Sequence, residues 1–183
     1  KCRGNIMVER IENAVPPMIL EYIRTQIQNE ERWSFSYPKG ASFEKKHPKL
    51  TIYDGSAIPE AKFLEGISHM VLLMIDNKML KDGNDFFKPT MLWCGAAIKD
   101  KFRSDNLHTD HEDDVPKGMK VRKLLGLLHA EWPEENGGHF FHGGKDHILT
   151  PGTFLCFDPL VEHRATDINT TIKRIAIDFT VTA

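Results

Sequence analysis

The chain has few cysteines, no long apolar run and no excess of positive charge, and each shortage removes a class of function. Cys2, Cys94 and Cys156 are odd in number and widely spaced, which argues against a disulfide framework and for a reducing, cytoplasmic setting. No segment approaches the roughly 20 consecutive apolar residues of a membrane-spanning helix. The start, Lys1-Cys2-Arg3-Gly4, has no apolar run of a secretory signal. A formal net charge of -2 gives no general basic surface, so nucleic acid is not an expected partner. Internal repeats and low-complexity segments are also missing. What is present is 183 residues, 40% of them hydrophobic and 27% charged. That composition suits one globular domain with a sizeable core, and nothing marks a second.

The first half reads as helical and the second as strands. Pro16-Pro17 precedes Ile19, Tyr22, Ile23 and Ile27, which share a helical face. Residues 34–57 are rich in Pro, Gly, Lys and Ser and read as irregular. A second helix is expected from Pro59-Glu60, with Phe63, Ile67, Met70 and Met74 at core spacing; Met70, Met74 and Met79 read as core, not as a cofactor box. From about residue 90 the pattern shortens to strands at 91–98, 121–130 and 153–157, separated by Asn136-Gly137-Gly138, Gly143-Gly144 and Pro151-Gly152 turns. The last strand alternates Ile175, Ile177, Phe179 and Val181 against Arg174, Ala176, Asp178 and Thr180. The expected fold class is mainly β with N-terminal helices: helical support over about 1–90, and a sheet-rich barrel or sandwich over about 90–183.

Chemistry concentrates in His108-Thr109-Asp110, His163 and Arg174. Two imidazoles and one carboxylate bind Fe(II) on one face and leave the opposite face open. Residues i and i+2 of a strand point to the same side, so His108 and Asp110 can meet one metal while a distant strand supplies His163. Arg174 offers a planar positive fork suited to a carboxylate. The set points to an oxygen-activating iron enzyme.

These residues resemble the Fe(II)- and 2-oxoglutarate-dependent dioxygenases, and the nearest branch is the prolyl-hydroxylase-like group. The resemblance runs over roughly residues 90–181. It rests on His108-x-Asp110, the block from Leu124 to Trp132, Glu135-Asn136-Gly137-Gly138, Pro151-Gly152-Thr153, Phe157-Asp158, His163, and Arg174 eleven residues later. It implies a double-stranded β-helix, a jelly-roll or cupin-like barrel with the metal inside one mouth. It further implies that His108, Asp110 and His163 hold Fe(II), and that Arg174 pairs with the distal carboxylate of 2-oxoglutarate. The implied co-substrates are 2-oxoglutarate and O2, with ascorbate as an optional addition. The implied products are succinate, CO2 and a hydroxylated carbon. Asp110 stands where related halogenases carry a small residue, so hydroxylation or demethylation is expected over halogenation. A Tyr often assists the Arg in that branch; the matching place falls near Leu127, which cannot donate a hydrogen bond. Asp178 and Thr180 remain as helpers, and the Thr180 hydroxyl is the better donor. The implied substrate is a protein or peptide, peptidyl proline first, with a small molecule next. A metal-binding or cupin-like barrel that does not use 2-oxoglutarate is the alternative.

Other residues carry blander expectations. Cys94 and Cys156 are expected as core thiols. His129, His139, His142 and His147 match no zinc spacing and are expected at the surface or at strand ends. His111 should point away from Asp110. Glu112, Asp113 and Asp114 read as a solvated loop beside the mouth, and Arg103, Ser104 and Asn106 could line it. Arg164 should face away from the metal. Trp93 and Trp132 read as core or rim aromatics. Asn169-Thr170-Thr171 is expected to be a turn.

Overall fold

The computed structural model describes residues 8–36, 47–83, 88–110 and 119–182. In chain order the elements are β1 (Glu9–Ile11), α1 (Pro17–Gln28), β2 (Ser34–Ser36), β3 (His47–Tyr53) and α2 (Lys62–Lys81). Then follow β4 (Met91–Lys99), β5 (Val121–Leu127), β6 (Phe140–His142), β7 (Lys145–His147), β8 (Phe154–Phe157), β9 (His163–Ala165) and β10 (Arg174–Thr182). Seven strands pair antiparallel in the order β1-β8-β5-β10-β4-β3-β2, and three in the order β7-β6-β9. The two sheets face each other as a jelly-roll. Among the described residues their strand pairing does not close into a barrel. No described helix is long and apolar enough to cross a membrane.

The alternation of β10 sorts the molecule into two cores. Ile175, Ile177, Phe179 and Val181 face outward, in one cluster with Leu20, Ile23 and Ile27 of α1 and Val71, Leu72, Ile75 and Met79 of α2. Ala176 faces inward, with Leu127, Phe140, Leu155, Phe157 and Ile168 between the sheets. Strand residues of odd and even number thus serve different cores. Cys94 and Cys156 are both buried free thiols, and burial pushes the Cys94 thiol far up.

Three expectations need correction. The stretch 34–57 is not irregular throughout: β2 pairs with β3 and β3 with β4. The alternation of Leu50 and Ile52 against Lys49 and Thr51 is too short to stand out among Pro, Lys and Gly. The buried face of α2 is Leu64, Ser68, Val71, Leu72, Ile75 and Met79, whereas Phe63 and Met70 are each 58% exposed. This helix is apolar nearly all round, so two stripes one residue apart both satisfy helical spacing. In α1, Leu20 is buried with Ile23 and Ile27, while Tyr22 is exposed.

Candidate active site

His108 and His163 are brought together by backbone pairing. The His108 amide donates to the His163 carbonyl at 3.1 Å and the reverse bond is 2.9 Å. The Asp110 amide donates to the Pro159 carbonyl at 2.8 Å, which fixes the same segment one step further on. Each imidazole is then oriented by a carbonyl two residues earlier. His108 Nδ1 lies 2.9 Å from the Asn106 carbonyl, and His163 Nδ1 lies 2.8 Å from the Val161 carbonyl. A carbonyl only accepts, so both Nδ1 atoms carry the proton and both Nε2 lone pairs remain for a metal. His108 Nε2 is 3.8 Å from Asp110 Oδ1, and His163 Nε2 is 3.4 Å from Asp110 Oδ2. One ligand atom from each of the three residues lies within 4.8 Å of the others, close enough to hold one ion.

The electrostatics keep His108 and Asp110 in ligand form. Burial holds the His108 imidazolium pKa below its usual range. Burial pushes the Asp110 carboxyl up, but the Lys123 ammonium beside it outweighs that and helps hold it far below the usual carboxylate range. Lys123 had no place among the sequence-based candidates. It is buried on the inward face of β5, with Nζ 2.8 Å from Asp110 Oδ2 and 2.8 Å from Asp178 Oδ2. Its ammonium also lies 5.5 Å from the Trp93 ring centroid. Trp93 fits there because Gly95 has no side chain; a Cβ at Gly95 would stand 2.3 Å from the indole.

Arg174 opens β10 beside Lys99 of β4, its cross-strand partner. It is 4% exposed, and its Nε and Nη2 have no hydrogen-bond partner among the described residues. Burial, with Arg103 nearby, pushes its pKa down to about 10, so it stays charged at neutral pH. The turn expected at Gly137-Gly138 makes room for it: a Cβ on Gly138, whose φ is 70°, would stand 2.9 Å from Arg174 Cδ. Lys99 Nζ is 3.0 Å from Asp105 Oδ2, and Arg103 Nε is 2.6 Å from Asp105 Oδ1. Lys99 and Arg103 therefore share one carboxylate, and the Arg174 guanidinium is left with unpartnered donors among the described residues, which suits an incoming anion.

The remaining candidates divide. Leu127 is buried in the inner core. Thr180 shares the face of Arg174 but lies six residues along β10, about 20 Å away, where it pairs with Lys123 and Trp93. It is therefore not beside the guanidinium and belongs to the Lys123 end of the pocket. Asn106 contributes its carbonyl to His108, and the Ser104 hydroxyl donates to Asp167. Arg164 lies over the Phe141 ring. Trp132 is buried and donates to the Gly137 carbonyl at 2.9 Å. His129 and His142 are not at the surface: they are 5% and 2% exposed. His129 Nε2 accepts from the Ile175 amide at 2.9 Å, and burial pushes its pKa down to about 4. His142 Nε2 lies 3.2 Å from the Asp158 carbonyl. His111 and Glu112, Asp113 and Asp114 lie outside the described residues.

No known protein family profile and no curated protein matches the chain. Solved structures do. A collagen prolyl hydroxylase of Paramecium bursaria Chlorella virus-1, in complex with 2OG, aligns over 100% of this chain and 98% of its own, with 13% identity and a TM-score of 0.62. The chain carries the fold of the 2OG-Fe(II) oxygenases. A Pseudomonas putida prolyl-4-hydroxylase aligns over 96% of this chain and 92% of its own, with 15% identity and a TM-score of 0.62. The α-ketoglutarate-dependent carbocyclase SnoK from nogalamycin biosynthesis aligns over 96% and 79%, with 12% identity and a TM-score of 0.68. Within this fold, Lys123 and Lys99 had only a weak sequence signal, charged residues in apolar strands, whereas Arg103 and Asp105 lie in the loop after β4.

Proposed function

We propose that the chain is an Fe(II)- and 2-oxoglutarate-dependent dioxygenase that hydroxylates an unactivated carbon, with proline in a peptide as the first substrate to test. The observation that carries this reading is one composite. His108, Asp110 and His163 offer ligand atoms within 4.8 Å of one another, and the same domain holds a buried guanidinium, Arg174, with two unsatisfied donors among the described residues. The donor set fits iron, since two neutral imidazoles and one carboxylate leave positions open. Bound iron, with 2-oxoglutarate and O2, would supply the oxidising power, releasing succinate and CO2.

The protein's own residues do the rest. Asn106 and Val161 keep both imidazoles in the ligating tautomer. Arg174 would anchor the distal carboxylate of the co-substrate through two parallel charge-assisted bonds. The inner core around Leu127, Phe140 and Leu155 limits water on that side. Peptidyl proline as the target is supported by the two prolyl hydroxylases among the similar structures. A small-molecule substrate is supported by the carbocyclase, and peptide and metabolite panels separate the two.

Addition of Fe(II) and then 2-oxoglutarate to the metal-free protein without oxygen tests the core of the proposal. The expected result is a weak visible charge-transfer band that needs both components. Metal binding with no such band would favour a cupin-like barrel that does not use 2-oxoglutarate.

A further inference from the structure

We propose that Lys123 is a positioning residue that holds Asp178 away from the metal and so keeps the site at three protein ligands. The inference rests on the metal site proposed above. One ammonium bridges two carboxylates, with Nζ 2.8 Å from Asp110 Oδ2 and 2.8 Å from Asp178 Oδ2. Those two oxygens therefore lie within two salt-bridge lengths of each other. Asp178 stands on the inward face of β10, in register with Gly95 and Leu125. Its second oxygen, Oδ1, is buried with no hydrogen-bond partner among the described residues. A carboxylate so placed, beside one that ligates, is a fourth ligand in waiting. Two imidazoles and two carboxylates would leave two open positions instead of three, too few for a chelating keto acid and dioxygen together.

Lys123 prevents this in two ways. It occupies Asp178 Oδ2 directly, and its charge offsets one of the two carboxylates. Its own place is fixed: it is 7% exposed, and the Trp93 ring lies against it at 5.5 Å, spread over Gly95. The local charge of Asp110, Lys123 and Asp178 sums to one negative. Removing the ammonium makes it two negative, removing Asp178 makes it zero, and removing both restores one negative.

Divalent-ion affinity should follow that series. The test is anaerobic titration of metal-free protein with Co(II), reading both the dissociation constant and the visible spectrum. Lys123→Met is expected to bind Co(II) at least about tenfold tighter, with a changed spectrum from the added carboxylate. Asp178→Asn is expected to bind at least about tenfold more weakly, and the double variant within about threefold of the unsubstituted protein. Any other order overturns the inference. Should Lys123→Met fail to fold, Asp178→Asn decides alone, and unchanged or tighter binding there refutes it. An unsubstituted protein that binds no Co(II) would sink the functional reading and this inference together. Normal Co(II) binding with unmoved variants would sink the inference only.

Discussion

Replacing Arg174 with Leu is expected to have effects of opposite sign on co-substrate binding and on stability. Its guanidinium is 4% exposed, and two of its three nitrogens, Nε and Nη2, have no hydrogen-bond partner among the described residues. Charge-assisted hydrogen bonds contribute roughly 1.5–3 kcal/mol each. Losing a two-bond fork to a carboxylate should therefore cost about 3–5 kcal/mol, roughly two to four orders of magnitude in 2-oxoglutarate affinity. Without co-substrate the balance reverses. A buried charge lacking a partner is costly, and Arg174 adds a small like-charge repulsion to the burial that chiefly depresses the pKa of Lys99 across the strand pair. An apolar side chain of smaller volume removes both penalties and should raise metal-free stability by about 1 kcal/mol. Isothermal titration of 2-oxoglutarate into Zn(II)-loaded protein measures the first effect, and urea unfolding of the metal-free protein the second. A 2-oxoglutarate affinity within threefold of the starting value would refute the assignment of Arg174. A loss of more than about 2 kcal/mol in stability would show instead that the guanidinium is a structural member of the inner core.

Asp110→Ala should lower Co(II) affinity by more than about a hundredfold, beyond what loss of a supporting residue costs, while the fold persists by circular dichroism; retained affinity would remove Asp110 from the site. Gly138→Ala places a Cβ 2.9 Å from Arg174 Cδ at a φ of 70°. It should cost about 1–2 kcal/mol in stability and weaken 2-oxoglutarate binding with metal affinity kept, which titration of each ligand checks. His129 is held neutral, its pKa pushed by burial from 6.5 down to about 4. Above pH 6.5 both folded and unfolded states are neutral there; as pH falls toward 4 the unfolded state takes the proton first. Stability should therefore drop over that window by up to about 3 kcal/mol, and urea midpoints for His129→Asn should show a shallower loss.

Legibility in the sequence followed the strength of local pattern. His-x-Asp alone is a weak signal, but together with a Gly-Gly turn, a distal His and an Arg in a strictly alternating last strand it is strong, and the structure brings His108, Asp110 and His163 within reach of one ion and splits β10 between two cores. Where two patterns fit equally, sequence could not choose. Leu64, Ser68, Val71 and Ile75 have the same helical spacing as Phe63, Ile67, Met70 and Met74, and only packing against the sheet puts the first set inside while Phe63 and Met70 stay exposed. His129 was expected at the surface or at a strand end; it lies two residues beyond β5 and is buried, because one backbone amide, that of Ile175, is enough to satisfy it inside. Thr180 shared a face with Arg174, but a face extends along a strand, and about 20 Å separates them.

Charges on the inward sheet face were the least legible, because alternation says which residues share a side and not which side has water. Lys99, Lys123 and Arg174 are the buried lysines and arginine of the described residues. Burial of each requires a counter-charge or hydrogen-bond acceptors. Lys99 has Asp105, and Lys123 has Asp110 and Asp178, all contributed by the chain itself. Arg174 has no such carboxylate among the described residues: Asp105, beside it, is already held by Lys99 and Arg103. Two of the three buried cations are thus balanced by the fold, and the third keeps two donors without a partner among the described residues. Under the proposed function, an arriving carboxylate would return the penalty of leaving that guanidinium unpaired, so the unbalanced cation, more than the balanced ones, would set which anion is selected.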